Sequence, residues 1–437
     1  MAPGLLARLA AAQALSETLG LSRPLDERLA LLKTQIKYAD LDARDLGLAR
    51  SIATVALRRL GSIRRALAGK LEKGLPKKSG VLEWALVAGA AQILFLDLPD
   101  HAAVDLAVRA VRLDPSAMPY AALANAVLRG VAQDKAEIRV AADAHSEDTP
   151  AWLATRWRNH YGEAALRRIV EAHRREPTLD LSVKADAQDW AERLGGELLP
   201  TGSIRLETHA AIPELPGYAE GAWWVQDAAA ALPARLLRAG PGQRVVDLCS
   251  APGGKSLEIA NAGAILTAVD RSAERLKRLA ANFERMRLDA NIVVSDALTF
   301  DAPAFDAVLL DAPCAATGTI RRHPDVAWIK KLGDVAALAR AQAQLLDKAC
   351  ALTKPGGTLV YCVCSLEPEE GESQIAALLR RNPDFRRAPI GLDEVGGLEE
   401  CLTPLGDLRT LPFHLARATP RQSGLDGFYA ARLGRMA

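Results

Sequence analysis

Two cysteines each follow a run that reads as a strand: Cys314 in Asp311-Ala312-Pro313-Cys314, and Cys364 in Tyr361-Cys362-Val363-Cys364-Ser365. Upstream of both stands Asp247-Leu248-Cys249-Ser250-Ala251-Pro252-Gly253-Gly254-Lys255-Ser256. Thiolates are nucleophiles, and two thiols at strand ends near a glycine-containing turn point to covalent chemistry rather than packing. Cys350 and Cys401 read instead as small buried hydrophobes, and Cys249 and Cys362 are weaker cases of the same. All six cysteines lie beyond residue 248 and form no CxxC pair or Cys/His grid, so no metal site is expected. Thiols in this pattern suit a reducing cytoplasm.

The turn at Cys249, Ser250, Ala251, Pro252, Gly253, Gly254 and Lys255 is not a nucleotide-phosphate loop. A P-loop ending in Gly254-Lys255-Ser256 needs a glycine at position 249, which is Cys249, and no GxGxxG pattern is present. What remains is strand, turn and helix. The glycines let the main chain approach a ligand closely, and the helix N-terminus favours a carboxylate. Asp270 ends the next strand, where an acid commonly takes ribose hydroxyls. Asp296 follows the third strand, within reach of an adenine amino group. Ribose, adenine and a carboxylate together describe S-adenosylmethionine. The competing reading makes these acids helix N-caps.

The elements that must position these residues alternate. Strands are expected at Arg244–Leu248, Ile265–Asp270, Ile292–Ser295, Ala307–Asp311 and Thr358–Cys364. Helices are expected at Ser256–Asn261, Ala273–Met286 and Val335–Leu352. That order predicts a parallel, doubly wound sheet over 226–437, with ligands at the carboxyl ends of its strands. Residues 141–225 read as a small α/β connector, with helices at Trp152–Tyr161 and Glu163–His173 and strands at Leu179–Val183 and Ser203–Leu206. Residues 1–140 read as an all-α bundle: an amphipathic helix from Leu5 to Leu19, then Ala49–Leu60, Val81–Leu96, His101–Leu113 and Tyr120–Val131, with Pro99, Pro115 and Pro119 between them.

The chain of 437 residues is long enough for two or three domains, and no apolar run reaches membrane-spanning length. Net charge is only +2, but residues 1–140 hold 20 Lys/Arg against 14 Asp/Glu. The stretch 44–78, including Arg58, Arg59, Arg64 and Arg65, is the most basic; in front of an enzyme-like half it becomes a candidate phosphate-contact surface rather than a solvated helix face.

The loop at 247–256, Ala268-Val269-Asp270-Arg271-Ser272, Ser295-Asp296-Ala297, Asp311–Cys314 with Ala315-Ala316-Thr317-Gly318, and the Tyr361–Ser365 segment, in this order, resemble the RNA (cytosine-C5) methyltransferase family. The resemblance runs from about Gly221 to the C-terminus. It implies a Rossmann-like class I methyltransferase, S-adenosylmethionine as cofactor, Cys364 as nucleophile, Cys314 in product release and Asp311 at nitrogen 3 of the base or at the cofactor. Lys255 is left between base binding and loop support. Val363 stands where the family usually has threonine, and Cys362 where a small apolar residue is usual; strand alternation turns Val363 away from Cys364. Asp45–Leu60, Pro99–Val104 and Asn125–Arg129 resemble a NusB-like RNA-binding domain. The combination implies small-subunit ribosomal RNA as substrate. Arg321-Arg322-His323-Pro324-Asp325, after the Cys314 loop, resembles a family segment near the RNA, which makes Arg321 and Arg322 candidate phosphate ligands, and a monomer is expected. Transfer RNA, protein-coding RNA and a non-catalytic role in ribosome assembly are the alternatives.

Overall fold

The computed structural model describes residues 3–96, 98–144, 147–208 and 210–437. The chain divides into two compact units, Met1–Arg174 with Arg322–Lys331, and Arg175–Arg321 with Leu332–Ala437. The connector therefore does not stand alone: the helix at its start goes with the first unit and its strands go with the second.

The first unit is helical. Its core forms around Leu5–Leu21 and Leu82–Phe95, which run side by side. Leu5–Leu21 is not the amphipathic helix expected. Arg8, Ala10, Ala11, Ala12, Ala14 and Leu15 are all buried, so nearly every face is covered. A helix apolar all round belongs in a core, and its alanines let neighbouring helices close in. Asp100–Arg112 shows the expected one-sided pattern, burying Ala103, Val104, Ala107, Val108 and Val111. Helix 151–173 breaks at Gly162 (φ 84°, ψ 167°), where the sequence separates two helical runs.

Residues 322–331, which follow the Cys314 loop in sequence, are part of this helical unit. Leu25 N–H, at the start of helix Leu25–Leu32, donates to Asp325 Oδ2 at 3.1 Å. Pro24 cannot cap that helix with a side chain, and the buried Asp325 carboxyl does so from 300 residues away. Trp328 Nε1 donates to Leu57 O at 2.8 Å, and its ring packs on the helical core.

The second unit holds two sheets. The smaller has β1 (Leu179–Val183), β2 (Glu197–Leu198), β3 (Ile204–Leu206) and β4 (Trp223–Val225) in the order β2-β3-β1-β4, all antiparallel. Leu181, Trp190, Ile204, Leu206 and Trp223 form its core.

The larger sheet contains β5 (Arg244–Leu248), β6 (Ile265–Asp270), β7 (Asn291–Val294), β8 (Phe305–Asp311), β9 (Thr353–Val363), β10 (Phe385–Arg387), β11 (Leu408–Arg409) and β12 (Tyr429–Arg435). The order is β10-β12-β9-β8-β5-β6-β7, with β11 paired to β12. β5 to β9 are parallel, as expected. β12 lies antiparallel to β9, so the sheet is mixed and not purely parallel. Helices cover both faces. Ala273–Met286 buries Leu276, Leu279, Phe283 and Met286, one helical stripe. From β5 the chain winds outward to β6 and β7, and from β8 it winds the other way to β9. Neighbouring β5 and β8 thus form the switch point, where open α/β sheets leave a crevice at the strand carboxyl ends.

Candidate active site

The switch point places the ends of β5 and β8 side by side. After β5 the chain turns sharply: Cys249 has φ 64° and Gly253 has φ 106°, and helix Gly254–Asn261 begins at once. A side chain at Gly253 would be strained by that angle and would press on Leu279 at 2.8 Å. Asp270, at the end of β6, organises the turn. Its buried carboxylate accepts Ala251 N–H at 3.1 Å, Ser272 N–H at 2.9 Å and the Arg275 guanidinium at 3.3 Å. Arg275 also donates to Ala251 O. Ser272, not Asp270, caps the following helix.

Behind the turn, Ser256 Oγ donates to Asp247 Oδ2 at 2.5 Å. Burial pushes the Asp247 carboxyl up to about 7, against the pull of the Ser256 hydrogen bond. Asp247 Oδ1 and Ser250 Oγ are buried and have no hydrogen-bond partner among the described residues. Two unpaired buried oxygens beside a helix N-terminus are a donor and acceptor set that awaits a ligand. A cofactor with an amino group and a carboxylate at one end suits this set.

At the end of β8, Asp311 is held between two partners. Lys255 Nζ donates to its Oδ2 at 2.8 Å, and Cys362 Sγ lies 3.4 Å from its Oδ1. Burial works against the charge on Lys255, but Asp311 and the nearby Cys362 and Cys364 outweigh it and raise its proton affinity. The ammonium also sits 5.1 Å from the Phe428 ring centroid. The Lys255 side chain is 11% exposed and that of Asp311 is 31% exposed, so the pair opens on its carboxylate side.

Cys314 and Cys364 meet here, sulfur to sulfur, at 3.5 Å. Cys314 is held well above its ordinary value, first by its hydrogen bond to Cys364 and then by burial. Either thiol can donate to the other at this distance. Gly318 N–H donates to Cys364 O at 3.1 Å, and Gly318 O accepts from Gly427 N–H at 2.8 Å. A Cβ on Gly318 would lie 1.8 Å from Gly427 O, so only glycine allows these chains to meet. Val363 packs in the core on the opposite face of the sheet from Cys362, as alternation requires. Burial raises the thiols of Cys249, Cys350 and Cys401 to about 12, and raises Cys362 as well.

Lys255, Asp311, Cys314 and Cys364 therefore come together, and the 249–254 turn stands beside them at the end of β5. Asp296 stands apart beyond the edge strand β7, exposed, its side chain accepting Leu298 N–H at 2.9 Å. The arginines need correction. Arg58 and Arg59 are each 7% exposed; Arg59 stacks 4.5 Å from the Phe95 ring and pairs with Asp148 at 3.5 Å. Arg321 is 3% exposed and lies 3.9 Å from Asp426. These three hold the fold and offer no open phosphate surface. Arg64 is exposed, Arg65 and Arg322 are half-buried, and Arg64 and Arg65 face Glu83 and Glu147. Sequence reasoning missed Phe428, and also Glu370, which lies behind the sulfur pair. Phe428 carries no local signal, and Glu370 is one of several acids in Leu366–Glu372.

A mixed sheet of this order with a glycine turn after β5 defines a class I methyltransferase that uses S-adenosylmethionine. Residues 234–434 match the family model described as 16S rRNA methyltransferase RsmB/F, and residues 5–133 match that of the NusB family. "Ribosomal RNA small subunit methyltransferase B" of Vibrio cholerae is 35% identical over 450 aligned residues, spanning 98% of this chain and 97% of that protein. The chain belongs to the RsmB/F methyltransferase family. The crystal structure of PH0851 shares its fold, with a TM-score of 0.74 and 23% identity over 99% of each chain. A methyltransferase homologue from Pyrococcus horikoshii gives a TM-score of 0.54 at 28% identity, covering 65% of this chain and 95% of its own. Among the described residues no helix is long and apolar enough to cross a membrane.

Proposed function

We propose that this protein methylates carbon 5 of a cytosine in small-subunit ribosomal RNA, acting as a cytoplasmic monomer, through a transient bond between Cys364 and carbon 6 of the base. The observation that carries this reading is the approach of Cys314 and Cys364 to 3.5 Å beside the Lys255–Asp311 pair. The ribosomal target rests on the family and on the NusB-like front half.

Carbon 5 of cytosine is a weak nucleophile. Addition of the Cys364 thiolate to carbon 6 turns the ring into an enamine-like species whose carbon 5 can attack an electrophile, splitting one hard step into two easier ones. Asp311 faces nitrogen 3, and a proton shared with Lys255 passes to the ring as electrons move toward it. S-adenosylmethionine, held by the 249–254 turn, Asp270 and the unpaired oxygens of Asp247 and Ser250, supplies the activated methyl group. Release passes the carbon-5 proton to solvent water, the C–H electron pair forms the carbon 5–carbon 6 double bond, and the carbon–sulfur pair returns to the Cys364 sulfur as that bond breaks. The ring regains its double bond, the nitrogen-3 proton returns to the Asp311–Lys255 pair, and Cys314 steadies the departing sulfur. The base must leave its stack to reach Cys364, so an accessible loop or unpaired segment is the substrate.

The test is incubation with labelled cofactor and naked small-subunit RNA, followed by mapping of 5-methylcytosine. Cys314→Ala should accumulate a protein–RNA adduct that survives denaturation. Folded, cofactor-bound protein that methylates no RNA and traps none would overturn the reading.

A further inference from the structure

Behind the two sulfurs lies a carboxylate that the chemistry above does not use. Glu370 is fully buried, with its main-chain oxygen fixed by Tyr361 Oη at 2.5 Å. Its Oε1 accepts Ala315 N–H at 2.9 Å and Gln342 Nε2 at 3.1 Å. Its Oε2 accepts Ser365 Oγ at 2.5 Å and lies 3.2 Å from Ala315 N. Ala315 directly follows Cys314, and Ser365 directly follows Cys364. Gln342 Nε2 also donates to Pro313 O at 2.9 Å, so the Cys314 residue is gripped on both sides.

We propose that Glu370 is a positioning residue whose carboxylate ties the two cysteine-bearing segments together and so sets the distance between the Cys314 and Cys364 sulfurs. This deepens the cytosine-C5 reading and rests on it for its catalytic meaning. Every group facing the carboxylate oxygens is a donor, so the ionised form satisfies all of them and a protonated one would lose an acceptor site. Burial raises its proton affinity, while the Ser365, Ala315 and Gln342 donors pull it back. A buried carboxylate is costly unless so satisfied, and here its bonds converge on the residues next to the reactive sulfurs.

The direct measure of sulfur spacing needs no RNA. Diamide oxidises two nearby thiols to a disulfide; two electrons and two protons pass to its N=N bond, giving the hydrazine. A Cys314–Cys364 bridge, identified by peptide mapping, should form quickly in the wild-type protein. Glu370→Leu keeps the volume and removes the acceptors, and should slow that bridge at least roughly tenfold and lower kcat about a hundredfold, with cofactor Kd and KM for RNA unchanged. Glu370→Gln should restore both rates to within about tenfold of wild type, because an amide oxygen can accept from Ala315 while its nitrogen donates to Ser365. Bridge formation at the wild-type rate in folded Glu370→Leu protein, or equal impairment by the Gln and Leu variants, would overturn the proposal. If Glu370→Leu does not fold, Ser365→Ala cuts one end of the tie, and a wild-type bridging rate there overturns it equally. A bridging rate that responds to these variants in a protein that makes no 5-methylcytosine would sink the reaction assignment and leave the tie standing.

Discussion

The helical and catalytic units both bury charge, and they spend it differently. In the helical unit Asp148 accepts Ser62 N–H at 2.8 Å and Ser62 Oγ at 2.9 Å, with Arg59 and Arg174 at 3.5 and 3.7 Å. Ser62 lies in the first turn of helix Leu60–Ala68, so the carboxylate finishes a helix end whose N–H groups have no internal partner. Arg8 donates instead to a carbonyl, Gly4 O, just before its own helix. In the catalytic unit Lys255 and Asp311 meet beyond the ends of strands, beside two thiols, with the carboxylate partly open to solvent. A buried ion pair is therefore no sign of chemistry by itself. The informative pattern is acid, base and nucleophile converging at the switch point of the sheet.

The sharpest way to break that contrast is to remove the nucleophile. Cys364→Ser should lower methyl transfer by at least about 10⁴-fold while cofactor binding and melting temperature stay near wild type. Filter-binding of labelled RNA product and a thermal melt check both halves of the statement. Retention of a tenth of the activity would move the nucleophile to another thiol, with Cys362, on the same face of β9, first in line.

The converse experiment sits in the helical unit. Asp148→Ala strips a helix start of its acceptor and takes the carboxylate away from the buried Arg59 and the half-buried Arg174, and should cost about 3 kcal/mol. Denaturant unfolding should show the loss, and equilibrium dialysis should show unchanged affinity for S-adenosylmethionine. A change in cofactor affinity would mean that the two kinds of buried charge are not separate.

These two regions were also unequally readable from the residues. β5, β6 and helix Ala273–Met286 have the bounds expected, because the two strands are short, largely buried runs and the helix keeps one apolar stripe at period 3.6. The turn after β5 was equally plain, since its glycines and proline are local. What local pattern could not carry were pairings distant in sequence. The antiparallel β12 gains its place only against β9, and Asp325 caps a helix 300 residues earlier. Arg58 and Arg59 looked like surface charge because a basic run reads the same whether it faces water or a buried acid such as Asp148. Glu370 was one glutamate among several until the fold brought Ala315 to it.

The smallest expected effect tests whether the catalytic unit, too, stores charge at a cost to stability. Asp247 has its carboxyl pushed to about 7 by burial, well above the value in an unfolded chain. A carboxyl raised in the folded state stays neutral there while it ionises in the unfolded chain, and that ionisation favours unfolding. Against a permanently neutral reference, stability therefore falls as pH rises from about 4 to about 7 and is level beyond. Asp247→Asn supplies the reference. Between pH 5 and 7 the variant should gain about 2 kcal/mol relative to wild type, read from denaturant midpoints at each pH. A difference that stays flat across that range would mean that Asp247 is ionised throughout, with its unpaired Oδ1 satisfied by something other than a proton. The catalytic unit would then resemble the helical one, its buried acid neutralised by partners rather than held in reserve for a ligand.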